Sequence, residues 1–254
     1  MVQPHVSQKG TDAMRIDVIS DTVCPWCFIG KRRLEAALEM FADRPDAVPV
    51  DVRWHPFQLN PAMPREGADR AGYLAAKFGG PERAAQIYGR IRAAGADVGL
   101  DLDPERAKVM PNTLDSHRLL HRMQMRDETL ADGAGRGDRT AEALFRAFFG
   151  QGRNIGDPAV LAEIARAVDP ADSGAAAYLA TDDDRDMLAA ADAHAREIGI
   201  DGVPCFIIDG RWAVMGAQAP EQMLAALVRA ATNTTAGGVD DSGDDAMSED
   251  GQNC

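Results

Sequence analysis

The chain has 254 residues, an apolar fraction of 45% and a formal net charge of −13, enough for one large domain, or a domain with an insertion, around a sizeable core. The acidic excess argues against nucleic acid or an anionic membrane as partner, since both attract basic patches. Six of the acids, Asp240, Asp241, Asp244, Asp245, Glu249 and Asp250, follow the last basic residue, Arg229, so the body of the chain is only moderately acidic.

Residues 1–13 carry Pro4, Gln8, Lys9 and Gly10 and no apolar signal core, and no later stretch approaches about eighteen consecutive apolar residues. The expectation is a soluble, cytoplasmic protein. Residues 1–13 and the polar, acidic residues 232–254 are expected to be disordered tails, being too poor in apolar side chains to offset the cost of ordering.

In chain order, residues 15–20 form a predicted strand, followed by Cys24, Pro25, Trp26 and Cys27 and a predicted helix over residues 28–41. Leu34, Ala37, Leu38 and Phe41 follow the helical spacing that packs one face on a sheet. A second strand is predicted over residues 48–54, from the alternation of Val50, Val52 and Trp54. From about residue 66 to residue 199 the pattern is helical. Ala84, Ile87, Tyr88 and Ile91 line one face, Ala141, Leu144, Phe145 and Phe148 another, and Asn112, Asp138 and Asp157 are candidate N-caps. Strands return at residues 205–208 and 212–215 around an Asp209-Gly210 turn, followed by a helix over residues 220–231. The glycines at 133, 135 and 137 lack phosphate-loop spacing and read as an interhelical loop.

Cys24 and Cys27 carry the chemistry. Two thiols separated by two residues at a helix start can close a small disulfide, and the helix dipole favours the thiolate of the first. Half of a zinc site is the alternative, but no second pair at ligand spacing exists, since Cys205 and Cys254 stand alone. Four cysteines are also too few for a disulfide scaffold at this length.

A β-α-β start with the dithiol at its helix, a helical insertion and a β-β-α finish resembles the thioredoxin fold as elaborated in DsbA-like proteins. Ser20-Asp21 before the dithiol, Ile29-Gly30-Lys31-Arg32 after it, the segment from Pro56 to Pro61, Asn112-Thr113 with His117-Arg118, Gly202-Val203-Pro204, and Gly216-Ala217-Gln218 are similar to the FrnE-type branch, predicted cytoplasmic dithiol-disulfide oxidoreductases. The resemblance spans about residues 15–229. The fold class expected is therefore α/β: a thioredoxin-like subdomain at residues 14–62 and 200–231, and an all-helical insertion at residues 63–199 whose last helix packs back on the sheet.

The resemblance implies that Cys24 is the nucleophile, Cys27 the resolving thiol and Pro204 a cis proline facing them. It implies too that Val203 pairs through its backbone with bound substrate, with Pro25 and Trp26 tuning the dithiol. The dithiol holds no histidine, so a less depressed Cys24 pKa than in strongly oxidising relatives is expected. Cys205 stands where an aromatic residue is common. It reads as a small buried hydrophobe, with an accessory redox thiol or soft-metal ligand as alternatives. His117 is the other accessory candidate, able with Arg118 to lean over the site, although an ordinary half-buried pair is the simpler reading. Cys254 reads as an incidental thiol.

No metal or organic cofactor is expected beyond the redox-active Cys24–Cys27 disulfide, with glutathione as a co-substrate candidate. The function expected is a disulfide reductase or isomerase acting on protein or small-molecule thiols and disulfides. The alternative is a glutathione-dependent transferase or isomerase related to the kappa class, whose members typically carry serine at the first cysteine position. A holdase using the groove between subdomains is a third reading. Substrate, partner and oligomeric state are not legible.

Overall fold

The computed structural model describes residues 13–103 and 105–235, with side chains through residue 233. Strand β1 (Met14–Ser20) leads through a tight turn into helix α1 (Pro25–Ala42), and the chain returns as β2 (Val50–Pro56), parallel to β1. β5 (Cys205–Ile208) lies antiparallel on the other side of β1, and β6 (Trp212–Met215) antiparallel to β5, so the sheet order is β2-β1-β5-β6. The β5–β6 hairpin turns through Asp209, Gly210 and Arg211, with Asp209 (φ 50°) and Gly210 (φ 66°) both left-handed and the Arg211 N–H donating to the Ile208 carbonyl at 3.0 Å. Helix α9 (Pro220–Thr235) packs against α1 and the β5–β6 side of the sheet.

Between β2 and β5 lie α2 (Arg70–Phe78), α3 (Pro81–Ala96), α4 (Leu114–Leu130), α5 (Arg136–Phe145), α6 (Pro158–Val168), α7 (Ala175–Leu179) and α8 (Arg185–Glu197). The insertion is not purely helical, in contrast to the expectation. β3 (Ala68–Asp69) pairs antiparallel with β4 (Val109–Met110). Gly67, at φ 81°, makes this ladder possible, because a Cβ there would stand 2.6 Å from the Met110 carbonyl oxygen.

The insertion also closes the β2 side of the sheet. Gln124 on α4 makes two hydrogen bonds to the Trp54 backbone, accepting from its N–H at 2.7 Å and donating to its carbonyl at 2.9 Å. Asp192 on α8 accepts the Gln58 N–H at 2.7 Å. These bonds satisfy backbone groups that a sheet edge otherwise leaves open.

Several local expectations shift. The second strand runs two residues later than its alternation implies, because pairing with β1 from Met14–Val50 to Ser20–Pro56 fixes its limits. Asp157 caps α6 through the Ala159 N–H, and Asn112 accepts the Leu114 N–H at the start of α4. Asp138 is no cap: it lies inside the first turn of α5 and binds Lys31. Residues 232–235, assigned to the acidic tail, belong to α9; the rest of that tail, with Cys254, and residues 1–12 lie outside the described residues.

Candidate active site

The dithiol occupies the first turn of α1. Cys24 is the N-cap in an extended conformation (φ −85°, ψ 117°), Pro25 follows at the first helical positions, and Cys27 donates its N–H to the Cys24 carbonyl at 3.2 Å. Proline suits that place because its fixed φ is helical and its missing N–H would be unbonded there anyway. The Cys24 side chain makes no capping bond; its thiol instead donates to the Val203 carbonyl oxygen at 3.7 Å. The Val203–Pro204 peptide bond is cis. Cys24, Cys27, Val203 and Pro204 are thus brought to one place from opposite ends of the chain.

Two contacts hold the helix there. A Cβ on Gly30 would come 2.9 Å from Pro204 Cγ and 3.1 Å from the Phe206 ring, so the hydrogen of glycine allows α1 to lie directly on the Pro204 loop. Phe28, next to Cys27, stacks on Phe145 (5.0 Å between centroids) and on Phe149 (6.2 Å), tying the first turn to the insertion. Aromatic pairs of this kind contribute about 0.5–1.5 kcal/mol each beyond their buried area.

Both thiols are sequestered: Cys24 is 0% and Cys27 1% exposed. Beside them lies a cavity of about 220 Å³ between the dithiol turn and the insertion, walled by Val23, Pro25 and Trp26 on one side and by residues of α2 and α3 on the other. Trp26 is therefore both inside the dithiol and part of a binding-sized space.

Asp21 closes the turn before Cys24, whose N–H it accepts at 3.1 Å through its carbonyl; its Oδ2 accepts the Leu59 N–H at 2.7 Å. Its Oδ1 faces His117 Nε2 at 3.5 Å, with both side chains buried and neither atom holding a hydrogen-bond partner. His117 thus reaches the site through Asp21. Arg118 does not lean over it. It turns away to Asp115 and to the carbonyls of Tyr178, Thr181 and Asp183. Asp21 appears in the sequence beside the dithiol but carries no local sign of this pairing.

Cys205 begins β5 directly after Pro204, pairs with Ile19 and Met215, and is buried. Burial alone pushes its thiol up to about 11, so at neutral pH it is a neutral, poorly nucleophilic group. Among the described residues no three His, Cys, Asp or Glu side chains form a metal-ligand group. Of the remaining histidines, His55 Nε2 lies 2.6 Å from Asp17 Oδ1 on the β1–β2 side and His194 Nδ1 3.5 Å from Glu197 Oε2 on α8.

A family model described as "DSBA-like thioredoxin domain" matches residues 15–228. The chain belongs to the DsbA-like thioredoxin family. Its members are thiol-disulfide oxidoreductases or isomerases, and the expected α/β thioredoxin-like class holds. The chain is 28% identical over 196 residues to the uncharacterised protein YwbO of Bacillus subtilis (strain 168), covering 77% of this chain and 86% of that one. It is similar to a probable DsbA oxidoreductase, SCO1869 from Streptomyces coelicolor, at 29% identity and a TM-score of 0.75 over 95% of this chain and 98% of that one. The fold also matches the cytosolic disulfide reductase DsbM from Pseudomonas aeruginosa, in a structure with GSH, at 18% identity and a TM-score of 0.53 over 85% and 98%. No helix among the described residues is long and apolar enough to cross a membrane.

Proposed function

We infer that this DsbA-like protein is a dithiol-disulfide oxidoreductase that works through Cys24 and Cys27 as a reductase or isomerase in a cytoplasmic setting. The observation carrying this reading is the Cys24 thiol at the N-terminus of α1, set against the Val203 carbonyl beside Pro204. The unsatisfied N–H groups of the first turn stabilise an anion at that point, which favours the Cys24 thiolate.

The Cys24 thiolate attacks one sulfur of a substrate disulfide. A Cys24–substrate S–S bond forms, the substrate S–S bond breaks, and the departing thiolate takes up a proton. Cys27, having lost its proton, then attacks the Cys24 sulfur, forming the Cys24–Cys27 disulfide and releasing the second substrate thiol. The substrate gains two electrons and the protein loses two. A thiol reverses these steps to restore the dithiol, and glutathione is the candidate co-substrate, in keeping with the GSH in the DsbM structure. No metal or organic cofactor takes part.

Val203 presents backbone to the substrate, and Pro25 and Trp26 tune the potential of the pair. Because Cys24 is fully buried, exchange requires a local opening that exposes its sulfur. Cys205, neutral and enclosed, serves packing rather than exchange. Keeping a cysteine at position 24, rather than the serine typical of kappa-class transferases, supports exchange chemistry over glutathione transfer.

The test is a trap. A Cys27→Ser protein incubated with oxidised glutathione should accumulate one glutathione adduct on Cys24, seen by intact-mass and peptide analysis. Failure to form it, with the fold intact, contradicts the reading.

A further inference from the structure

The cavity beside the dithiol has a composition that selects a substrate class. Its walls are apolar and aromatic, with Tyr73 and Phe78 from α2, Ile87 and Ile91 from α3, and Trp26 at the dithiol end. At about 220 Å³ it exceeds the roughly 150 Å³ apolar cavity that holds benzene, so a single substituted ring or a branched aliphatic body fits.

Charge is distributed along this cavity with a direction. Lys77 and Arg90, both exposed, stand among its lining residues, and neither makes an ion pair among the described residues. Lys77 lies instead 5.7 Å from the Phe78 ring centroid. Elsewhere in the insertion Arg118, Arg122, Arg126, Arg136 and Arg185 are paired with aspartates, while Arg83, Arg92, Lys108, Arg139 and Arg166 are without ion pairs among the described residues but do not line this cavity. In a chain of net charge −13, two exposed cations without ion pairs at one cavity form a local attraction for an anion. Asp21 is the one acidic lining residue among those described, and it lies at the dithiol end with Oδ1 facing His117 Nε2 at 3.5 Å. A carboxylate entering that end meets a like charge, whereas one remaining near Lys77 and Arg90 meets opposite charge.

We propose that this cavity is a substrate subsite for low-molecular-weight disulfides and thiols with a compact apolar body and a carboxylate, bound with sulfur toward Cys24 and carboxylate toward Lys77 and Arg90. The proposal rests on the exchange reading for its chemistry, which is the two-electron exchange already described, with no further reactant. Its recognition part stands without that reading.

Two probes without sulfur isolate the recognition. Phenylpropionate and phenylpropylamine share an apolar body and differ in charge, and their binding to the full chain is read by Trp26 fluorescence and equilibrium dialysis. The acid should bind about tenfold more tightly than the amine, the size two exposed opposite-charge contacts supply. The Lys77→Glu/Arg90→Glu protein should lose that preference. Ile87→Trp, which fills the cavity, should weaken both probes. In exchange kinetics, the ratio of second-order rate constants for dithiobis-nitrobenzoate over uncharged dithiodipyridine should fall about tenfold on the double charge reversal; chemistry common to both disulfides cancels in that ratio.

Equal binding of acid and amine by the unsubstituted protein overturns the proposal whatever the variants do, as does a rate ratio indifferent to the charge reversal. Preferential acid binding with neither disulfide reacting upholds the subsite and removes the exchange reading. Reaction with both disulfides and no acid preference does the opposite.

Discussion

The Cys24 thiol and the Val203 carbonyl oxygen, 179 positions apart in the chain, meet at 3.7 Å. That contact joins the start of α1 to the loop before β5, and it makes the sulfur sensitive to both. With Cys24→Ser, two-electron exchange should disappear while the thermal midpoint stays within a few degrees, because a hydroxyl can keep the bond to Val203. Exchange surviving this change, measured with oxidised glutathione, would assign the chemistry to another thiol.

Gly30 controls how closely α1 approaches Pro204. Gly30→Ala places a methyl group 2.9 Å from Pro204 Cγ, and overpacking of this kind costs about 1–3 kcal/mol. Part of that cost is offset by the better helix propensity of alanine. The expected outcome in denaturant titration is a net loss of stability, together with a slower reaction of Cys24 with small disulfides. A more stable variant with unchanged kinetics would show that the helix and the Pro204 loop can separate without consequence.

Cys205 gives a pH prediction with a definite sign. Its thiol titrates higher folded, at about 11, than its ordinary value of 9.0, so the folded state retains a proton that the unfolded state releases. This contribution to stability is fully present below pH 9, declines between about 9 and 11 and is lost above that. Stability should therefore fall over this interval more steeply in the natural protein than in Cys205→Ala, as read from denaturant midpoints. Equal slopes would mean that Cys205 is not enclosed.

Lys31 is 2% exposed and reaches Glu35, Asp138 and Glu142. Burial opposes its charge, but Asp138 and Glu35 outweigh burial and hold the ammonium above the ordinary lysine range. Lys31→Ala should cost about 1–3 kcal/mol, since it leaves a void and a group of carboxylates without their cation. Loss of stability in Lys31→Met should be smaller, because the methylene packing remains. Differential scanning calorimetry separates the two; identical losses would place the whole effect in the charge.

The parts of the fold legible from the sequence are those with local signals. The β5–β6 hairpin has its limits at the expected residues because Asp209 and Gly210 admit left-handed backbone between two apolar runs. The dithiol was legible from spacing, and Pro204 from its resemblance to a known arrangement. What escaped is nonlocal. Nothing within residues 48–56 announces that pairing with β1 displaces β2 by two positions. Asp138 has the form of a cap until Lys31 arrives from α1. His117 and Asp21 meet only when α4 packs beneath the dithiol turn. Helix α2 is only nine residues long, too short for periodicity to declare it, although it walls the cavity. Its cap, Asp69 accepting the Gly72 N–H at 2.7 Å, was the available signal.

The most direct test of the account is a redox titration of the Cys205→Ser/Cys254→Ser protein in glutathione buffers, followed by Trp26 fluorescence and by alkylation trapping to count thiols. A single two-electron transition that vanishes in Cys24→Ser is the result expected, and a potential below about −230 mV assigns the protein to the reducing side. An intact, accessible dithiol that shows no transition across the whole buffer range would contradict thiol-disulfide exchange as its function.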